Sequence, residues 1–190
     1  AEDSEGNYAV YPPSAPDNPL SFVLGDLPVL VYDDFENSSG WSVGDSNDNA
    51  TTGIWVLADP NPAYADGSQS QPGDDHSASG SLCFVTGNGT NSNDAGENDV
   101  DGGKTTLFSP IFDLSNVSEA RLSFWYWYSN NLGASPGADY WQVYISNDAG
   151  NQWTTLINSI NSTNQWTKAQ FFLSEWIDMT SQMQFKFIAE

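Results

Sequence analysis

Residues 121–129 read RLSFWYWYS, and this stretch decides the fold class. Alternate residues of an extended strand point to opposite faces, so one face here carries four large apolar side chains and the other carries two tryptophans. The first face consists of Leu122, Phe124, Tyr126 and Tyr128, and the second of Trp125 and Trp127. Because both faces are apolar, we predict a central β-strand with cover on each side.

The rest of the chain repeats this pattern in short runs. Runs of β-branched and aromatic residues are separated by Gly, Asn, Asp, Ser and Pro, and no helical period is sustained. We predict an all-β fold, a two-sheet antiparallel jelly-roll sandwich with long loops at 59–80 and 87–103. The predicted strands span residues 27–35, 53–58, 81–87, 104–109, 121–129, 139–146, 152–158, 166–173 and 183–189.

The charge balance excludes whole classes of partner. The 190 residues include four basic and 25 acidic ones, a formal net charge of -21. This charge repels nucleic acid and anionic membranes, and no apolar run reaches the roughly 18 residues of a membrane span. We therefore expect no nucleic-acid partner and no membrane insertion. Aspartates set among Asn and Gly in loops favour Ca²⁺, and a salt-adapted acidic surface is the alternative.

Residues 146–153, SNDAGNQW, raise the question of glycan cleavage. The string resembles the Asp-box of sialidases and other β-propeller proteins. Taken locally it predicts a hairpin turn in which Asp148 accepts hydrogen bonds from turn amides and Trp153 covers the turn. The sialidase resemblance would imply an arginine cluster, but Arg121 is the only arginine, and a propeller would repeat the box, which occurs once. We expect no glycosidase activity.

The first 26 residues differ from the rest of the chain. They read AEDSEGNYAVYPPSAPDNPLSFVLGD and hold four of the ten prolines. This segment resembles the last strand and exit linker of an immunoglobulin-like or fibronectin-like domain. We therefore place a domain boundary near residue 26, between a tail strand with its linker at 1–26 and a module at 27–190.

An ordered set of short motifs in that module is similar to the MAM-type jelly roll. In chain order the motifs are DDFE (33–36), GW (40–41), TGIW (52–55), DDHSASGS (74–81), KTTLFSPIFDLS (104–115) and LSFWYWYS (122–129). The similarity is closer still to MAM-like modules appended to large secreted bacterial proteins, including peptidases. The cysteines typical of animal MAM domains are absent, and Ser77 replaces the usual Thr.

The resemblance implies a non-catalytic module of a larger secreted or cell-surface protein. Its partners would be other domains of the same polypeptide. Such modules run on, beyond the point where FKFIAE ends this sequence, into a closing strand that lies beside the first strand. We therefore expect the last strand to be missing here and an open β edge to be available for self-association.

Catalytic signals are weak. His76 is the only histidine, so a Ser-His-Asp triad would have to be built around Asp75 and His76. One histidine and one cysteine, Cys83, cannot build a histidine-rich zinc site, and LCFV around Cys83 predicts a buried strand. A carboxylate pair could serve a glycosidase, but the sequence does not fix the separation. We predict that the chain is not an enzyme.

Acidic loops are the candidate calcium ligands. In GENDVDGGKT two aspartates converge while the glycines behind them free backbone carbonyls to turn toward an ion. Further acidic pairs lie in GDSNDNATTG, in QPGDDH and at the start of the first predicted strand. The candidate ligands are Asp99, Asp101, Asp45, Asp48, Asp75, Asp34 and Glu36. A solvated turn is the competing interpretation of each pair.

Two function classes remain open. One is a structural or adhesion module stabilised by Ca²⁺, and the other is a module that binds a glycan or a protein. Exposed tryptophans would favour sugar binding, because aromatic faces stack on pyranose rings. The candidates are Trp55, Trp141, Trp166 and Trp176.

Overall fold

The computed structural model describes residues 28–37, 39–90, 92–97, 99–133 and 135–190. The chain divides between Tyr32 and Asp33, and every described strand lies in the second unit. The predicted boundary near residue 26, and the tail strand and linker before it, lie outside the described residues.

Within the described residues the protein is all β, with eleven strands and one turn of 3-10 helix at Leu173–Glu175. The strands are β1 Ser42–Val43, β2 Trp55–Ala58, β3 Ala63–Ala65, β4 Ser68–Gln71, β5 Cys83–Thr86, β6 Thr105–Phe108, β7 Arg121–Tyr126, β8 Trp141–Ser146, β9 Thr154–Ser159, β10 Thr167–Phe172 and β11 Gln184–Ala189.

All strand pairs are antiparallel. One five-stranded sheet has the order β1-β6-β11-β8-β9, and three two-stranded sheets pair β7 with β10, β2 with β5 and β3 with β4. This arrangement confirms the all-β sandwich predicted from the sequence.

Aromatic side chains join the layers across a shared core. Phe124 of β7 meets Phe187 of β11 edge-on with ring centroids 5.2 Å apart, and Tyr126 stacks on Trp141 of β8 at 5.6 Å. Trp41 contacts Phe187 as well. The inward faces of β7, β8 and β11 therefore form one apolar cluster, which also includes Leu107, Ile145 and Met183. Such offset and edge-on ring pairs add to the stabilisation from burial alone.

Eight of the nine predicted strands are present. The exception is 27–35, because the described residues 28–35 form no strand and Val29, Leu30, Val31 and Tyr32 are 53–76% exposed. Strand-forming residues adopt a strand only where their backbone groups find a partner, and no described strand pairs with this segment.

Two further features differ from the predictions. The expected loop at 59–80 contains the β3–β4 hairpin, which turns through Asp66 and Gly67, both with positive φ. The prediction that both faces of β7 are covered was wrong, because Trp125 on its outer face is 43% exposed. No described residue belongs to a helix long and apolar enough to cross a membrane.

Candidate functional site

The Asp45–Asp48 turn is held by its own carboxylates. Asp48 accepts hydrogen bonds from the backbone of Asp45 (2.9 Å) and from the backbone and hydroxyl groups of Thr106 (2.8 and 2.7 Å). Asp45 accepts two more from Asn47, and these bonds hold the pKa of Asp45 below its usual value. The pair therefore fastens a loop to strand β6.

The acidic residues at the start of the second unit also bind backbone amides. Glu36 Oε1 accepts hydrogen bonds from Ser81 N (2.7 Å) and Leu82 N (2.6 Å), which ties the segment to the approach to β5. Asp34 caps the amide of Glu36 at 3.3 Å, and Asp75 caps that of Ser77 at 3.0 Å. In all three cases the carboxylate stabilises a turn, as the competing interpretation predicted.

In the Asp99–Asp101 loop the backbone carbonyls are occupied. Thr52 Oγ1 donates to Asp99 O (2.7 Å), and Thr51 donates to Asp101 O from its backbone (2.7 Å) and its hydroxyl (3.1 Å). Gly103 has φ +138°, and a Cβ there would lie 2.1 Å from Asn49 Oδ1. The glycine therefore allows a close approach of Asn49 to the loop.

Four carboxyl groups nevertheless interact at this end of the sandwich, which we call the acidic end and define as Asp99, Asp101, Asp139 and Glu190. Desolvation raises the pKa of Asp139 first, and the charges of Asp99, Glu190 and Asp101 raise it further. Among the described residues, no group of three or more His, Cys, Asp and Glu side chains is arranged to hold a metal ion. Calcium binding stays a prediction.

The SNDAGNQW segment forms the predicted hairpin between β8 and β9. Asp148 Oδ1 accepts hydrogen bonds from Ser146 Oγ (2.7 Å) and Gln152 N (2.9 Å), and Ser146 Oγ accepts one from Gly150 N (2.9 Å). These bonds lower the pKa of Asp148, the backbone amide of Gln152 first. Both conspicuous residues of the string, Asp148 and Trp153, serve the turn.

The predicted ligand-binding tryptophans have different environments. Trp141 is 6% exposed and stacks on Tyr126, so its face is not available to a ligand. Trp55 is half-buried against Trp141 and donates its indole N–H to Thr105 O. Trp176 is 41% exposed, and Trp166 is half-buried with its indole N–H 3.3 Å from Asp74 O.

The outer face of the five-stranded sheet is filled by its own side chains. Lys186 Nζ lies 4.9 Å from the ring centroid of Tyr144 and 4.4 Å from that of Trp153. Partial burial lowers the pKa of Lys186. Beside it, Gln142 Nε2 donates to Asn158 Oδ1 at 3.0 Å. Lys186, Gln142 and Asn158 therefore already have partners in the protein.

The outer face of the β7–β10 sheet is open. Its residues, which we call the basic face, are exposed and alternate along the two paired strands. They are Arg121, Ser123 and Trp125 of β7 and Lys168, Gln170 and Phe172 of β10. In register, Arg121 lies opposite Phe172, Ser123 opposite Gln170 and Trp125 opposite Lys168. Within the described part of the chain, none of their polar side chains has a hydrogen bond or ion pair.

One loop reaches the end of this face. The ring of His76 stacks on Trp125 with centroids 3.7 Å apart and planes 14° apart, and it meets Trp166 edge-on at 5.9 Å. The imidazole is thus engaged by two indoles. Sequence alternation placed Trp125 on the face of β7 opposite to Phe124, but we predicted that this face was covered and did not select Trp125 as a ligand-binding residue.

The geometry defines an all-β sandwich with one solvated face that is both aromatic and cationic. No known protein family matches the chain, and no curated protein or solved structure is significantly similar to it. The resemblance to MAM-like modules therefore stays a prediction.

Proposed function

We propose that the chain is a non-catalytic binding module of a larger extracellular protein and that its ligand is a polysaccharide. The observation that carries the proposal is the basic face. It presents an indole that is 43% exposed and a phenyl ring that is 36% exposed, next to polar side chains that form no hydrogen bond or ion pair with any described residue.

A sugar ring needs both kinds of group. Its C–H faces pack on aromatic rings, while its hydroxyls require donors and acceptors to replace water. One face of the Trp125 indole is covered by the His76 ring, so the aromatic surface offered to a sugar is the part of this side chain that remains exposed. The amide of Gln170 and the hydroxyl of Ser123 offer both donors and acceptors. The flat two-stranded face suits an extended chain rather than an enclosed small molecule.

The residues of the basic face support binding of a polysaccharide without its cleavage. Glycoside hydrolysis uses two carboxyl groups that flank the scissile bond, and the six positions of the basic face include none. His76, the only histidine, is stacked between aromatic rings instead of contacting a serine or a carboxylate. We therefore expect bound polysaccharide to be released intact, with no new reducing ends.

The test compares two tryptophans of similar exposure. In affinity electrophoresis against a panel of polysaccharides, Trp125→Ala should weaken retention about tenfold or more, a loss of roughly 1.4 kcal/mol. Trp176→Ala is the matched control, because Trp176 is 41% exposed but lies outside the basic face, and it should bind like the native protein.

Two results would contradict the proposal. One is that no polysaccharide in the panel retards the native protein. The other is that Trp125→Ala, with a melting temperature close to the native value, binds as well as Trp176→Ala does.

A further inference from the structure

We infer that the polysaccharide held on the basic face is acidic, with carboxylate groups on its sugar rings. This inference rests on the proposed function and adds the chemical class of the ligand. It starts from the two cations of this face, Arg121 and Lys168, whose charged groups form no hydrogen bond or ion pair with a described residue.

Free cations are unexpected in this chain. It has 25 acidic residues and four basic ones, yet neither Arg121 nor Lys168 forms an ion pair with a described residue. Lys186 and Lys104 form no ion pair with a described residue either, but the Lys186 ammonium lies over two aromatic rings and the charge of Lys104 acts on Asp45. Half of the basic residues are therefore gathered on one exposed sheet face, where no described carboxylate forms an ion pair with them.

Strand register places each cation beside an aromatic ring. Lys168 lies directly across from Trp125, and Arg121 directly across from Phe172. Side chains that are directly opposite have Cβ atoms about 5 Å apart. A pyranose stacked on either ring would therefore hold a ring carboxylate within reach of the neighbouring cation, and a guanidinium can bind such a carboxylate through two hydrogen bonds.

The two pairs can be engaged by one extended chain. Arg121 and Trp125 are four residues apart on β7, so the two rows of the face are separated by roughly 13 Å along the strands. The row between them holds Ser123 and Gln170, which can bind hydroxyl groups. The face therefore repeats an aromatic–cation unit at both ends of a polar centre.

The negative charge of the rest of the protein limits where an acidic ligand can bind. The formal net charge of -21 repels a polyanion over most of the surface, and Asp74 and Asp75 immediately precede His76, whose ring contacts Trp125 and Trp166. At physiological salt this repulsion is screened over about 8 Å, so local contacts decide the outcome. The face should hold a short carboxylate-bearing stretch and leave the remainder of the polysaccharide in solvent.

The experiment uses one sugar chain in two charge states. Binding of oligogalacturonate and of its fully methyl-esterified form is measured by isothermal titration calorimetry in buffer free of divalent cations. The variants are Arg121→Gln and Lys168→Gln, and the control is Lys104→Gln, which changes the net charge equally but lies outside the face.

We expect the native protein to bind the free acid more tightly than the ester. Arg121→Gln and Lys168→Gln should each weaken binding of the acid about two- to fivefold, the range for exposed ion pairs, and leave binding of the ester unchanged. Lys104→Gln should match the native protein with both ligands.

Equal binding of acid and ester, unaffected by either variant, would overturn the inference and leave the proposed function intact. Binding of neutral polysaccharides alone would do the same. Failure of every polysaccharide, acidic or neutral, to bind would overturn both.

Discussion

Asp139 is a carboxyl group whose charged form is less favourable in the folded protein than in the unfolded chain. It is partly buried at the acidic end, and desolvation followed by three neighbouring carboxylates raises its pKa. Its backbone is independently fixed, because its carbonyl accepts a hydrogen bond from Asn130 Nδ2 at 2.7 Å. The side-chain charge can therefore be removed without removing this anchor.

We predict that Asp139→Asn stabilises the protein at neutral pH. A carboxyl whose pKa is higher in the folded state binds more protons there than in the unfolded state, so its contribution to stability falls as the pH rises through that window. Asparagine does not ionise and escapes this loss. The variant should melt at a higher temperature than the native protein at pH 7, and the difference should shrink toward pH 3, where both carry a neutral side chain.

Asp113→Asn is the control, because the pKa of Asp113 is shifted in the opposite direction to that of Asp139. Hydrogen bonds from the hydroxyl and amide of Ser115 lower the pKa of Asp113, so its charged form is favoured in the folded state. This variant should gain nothing at neutral pH. A melting temperature of Asp139→Asn at or below that of the native protein at pH 7 would show that the raised pKa does not weaken the fold.

In the β8–β9 hairpin, an alanine in a strained backbone conformation is followed by a glycine that tolerates the same conformation. Ala149 has φ +56° and Gly150 has φ +87°, both in the left-handed region. A Cβ at Gly150 would lie 3.1 Å from both Trp153 and Gln184 side-chain atoms. The left-handed region costs an ordinary residue roughly 1–2 kcal/mol, which glycine avoids.

Substitutions at these adjacent positions should therefore have opposite effects. Gly150→Ala should destabilise the protein by about 1–3 kcal/mol through backbone strain and crowding of the indole. Ala149→Gly should stabilise it by up to about 1 kcal/mol, because relief of strain exceeds the added freedom of the unfolded chain. Urea denaturation measures both. Two changes of the same sign would mean that the turn relaxes when substituted.

The strands and their pairing show which parts of the fold could be predicted from the sequence and which could not. Alternation in RLSFWY placed Phe124 and Trp125 on opposite faces of the strand. Phe124 packs against the core, but the cover predicted over the Trp125 face was wrong, since Trp125 is 43% exposed. The pairing of β7 with β10 was not predictable, because local pattern does not specify which distant strands meet, and the basic face exists only through that pairing. The β3–β4 hairpin was missed because both strands are short and β4 is wholly polar, although Asp66-Gly67 is a recognised hairpin signal.

The acidic loops were harder to interpret from sequence than the strands. Pairs such as Asp45 and Asp48 have the composition of a cation site, but here they cap backbone amides and fasten loops to strands. Both uses require the same residue types in the same kind of turn. Only the position of the neighbouring amide, set by the folded chain, separates them.

At the scale of the whole molecule, charge opposes folding. A formal net charge of -21 on one compact chain produces self-repulsion that solution ions reduce. The acidic end concentrates this effect, because its four carboxyl groups have no basic residue among them and the pKa values of two are raised. For Asp99, desolvation is the first cause and Asp101 adds to it, although solvent still reaches much of this side chain.

We predict that Ca²⁺ stabilises the native protein beyond the effect of ionic strength. A ligand bound only by the folded state raises the melting temperature with concentration, whereas screening depends on ionic strength alone. Melting curves in millimolar CaCl₂ are therefore compared with curves in NaCl at equal ionic strength. The calcium series should rise further, and Asp99→Asn should lose part of that excess while keeping the response to NaCl. Coincident calcium and sodium curves would show that the acidic end is screened by ions without binding one, and the carboxylates of the loops would then have only the capping roles seen in their hydrogen bonds.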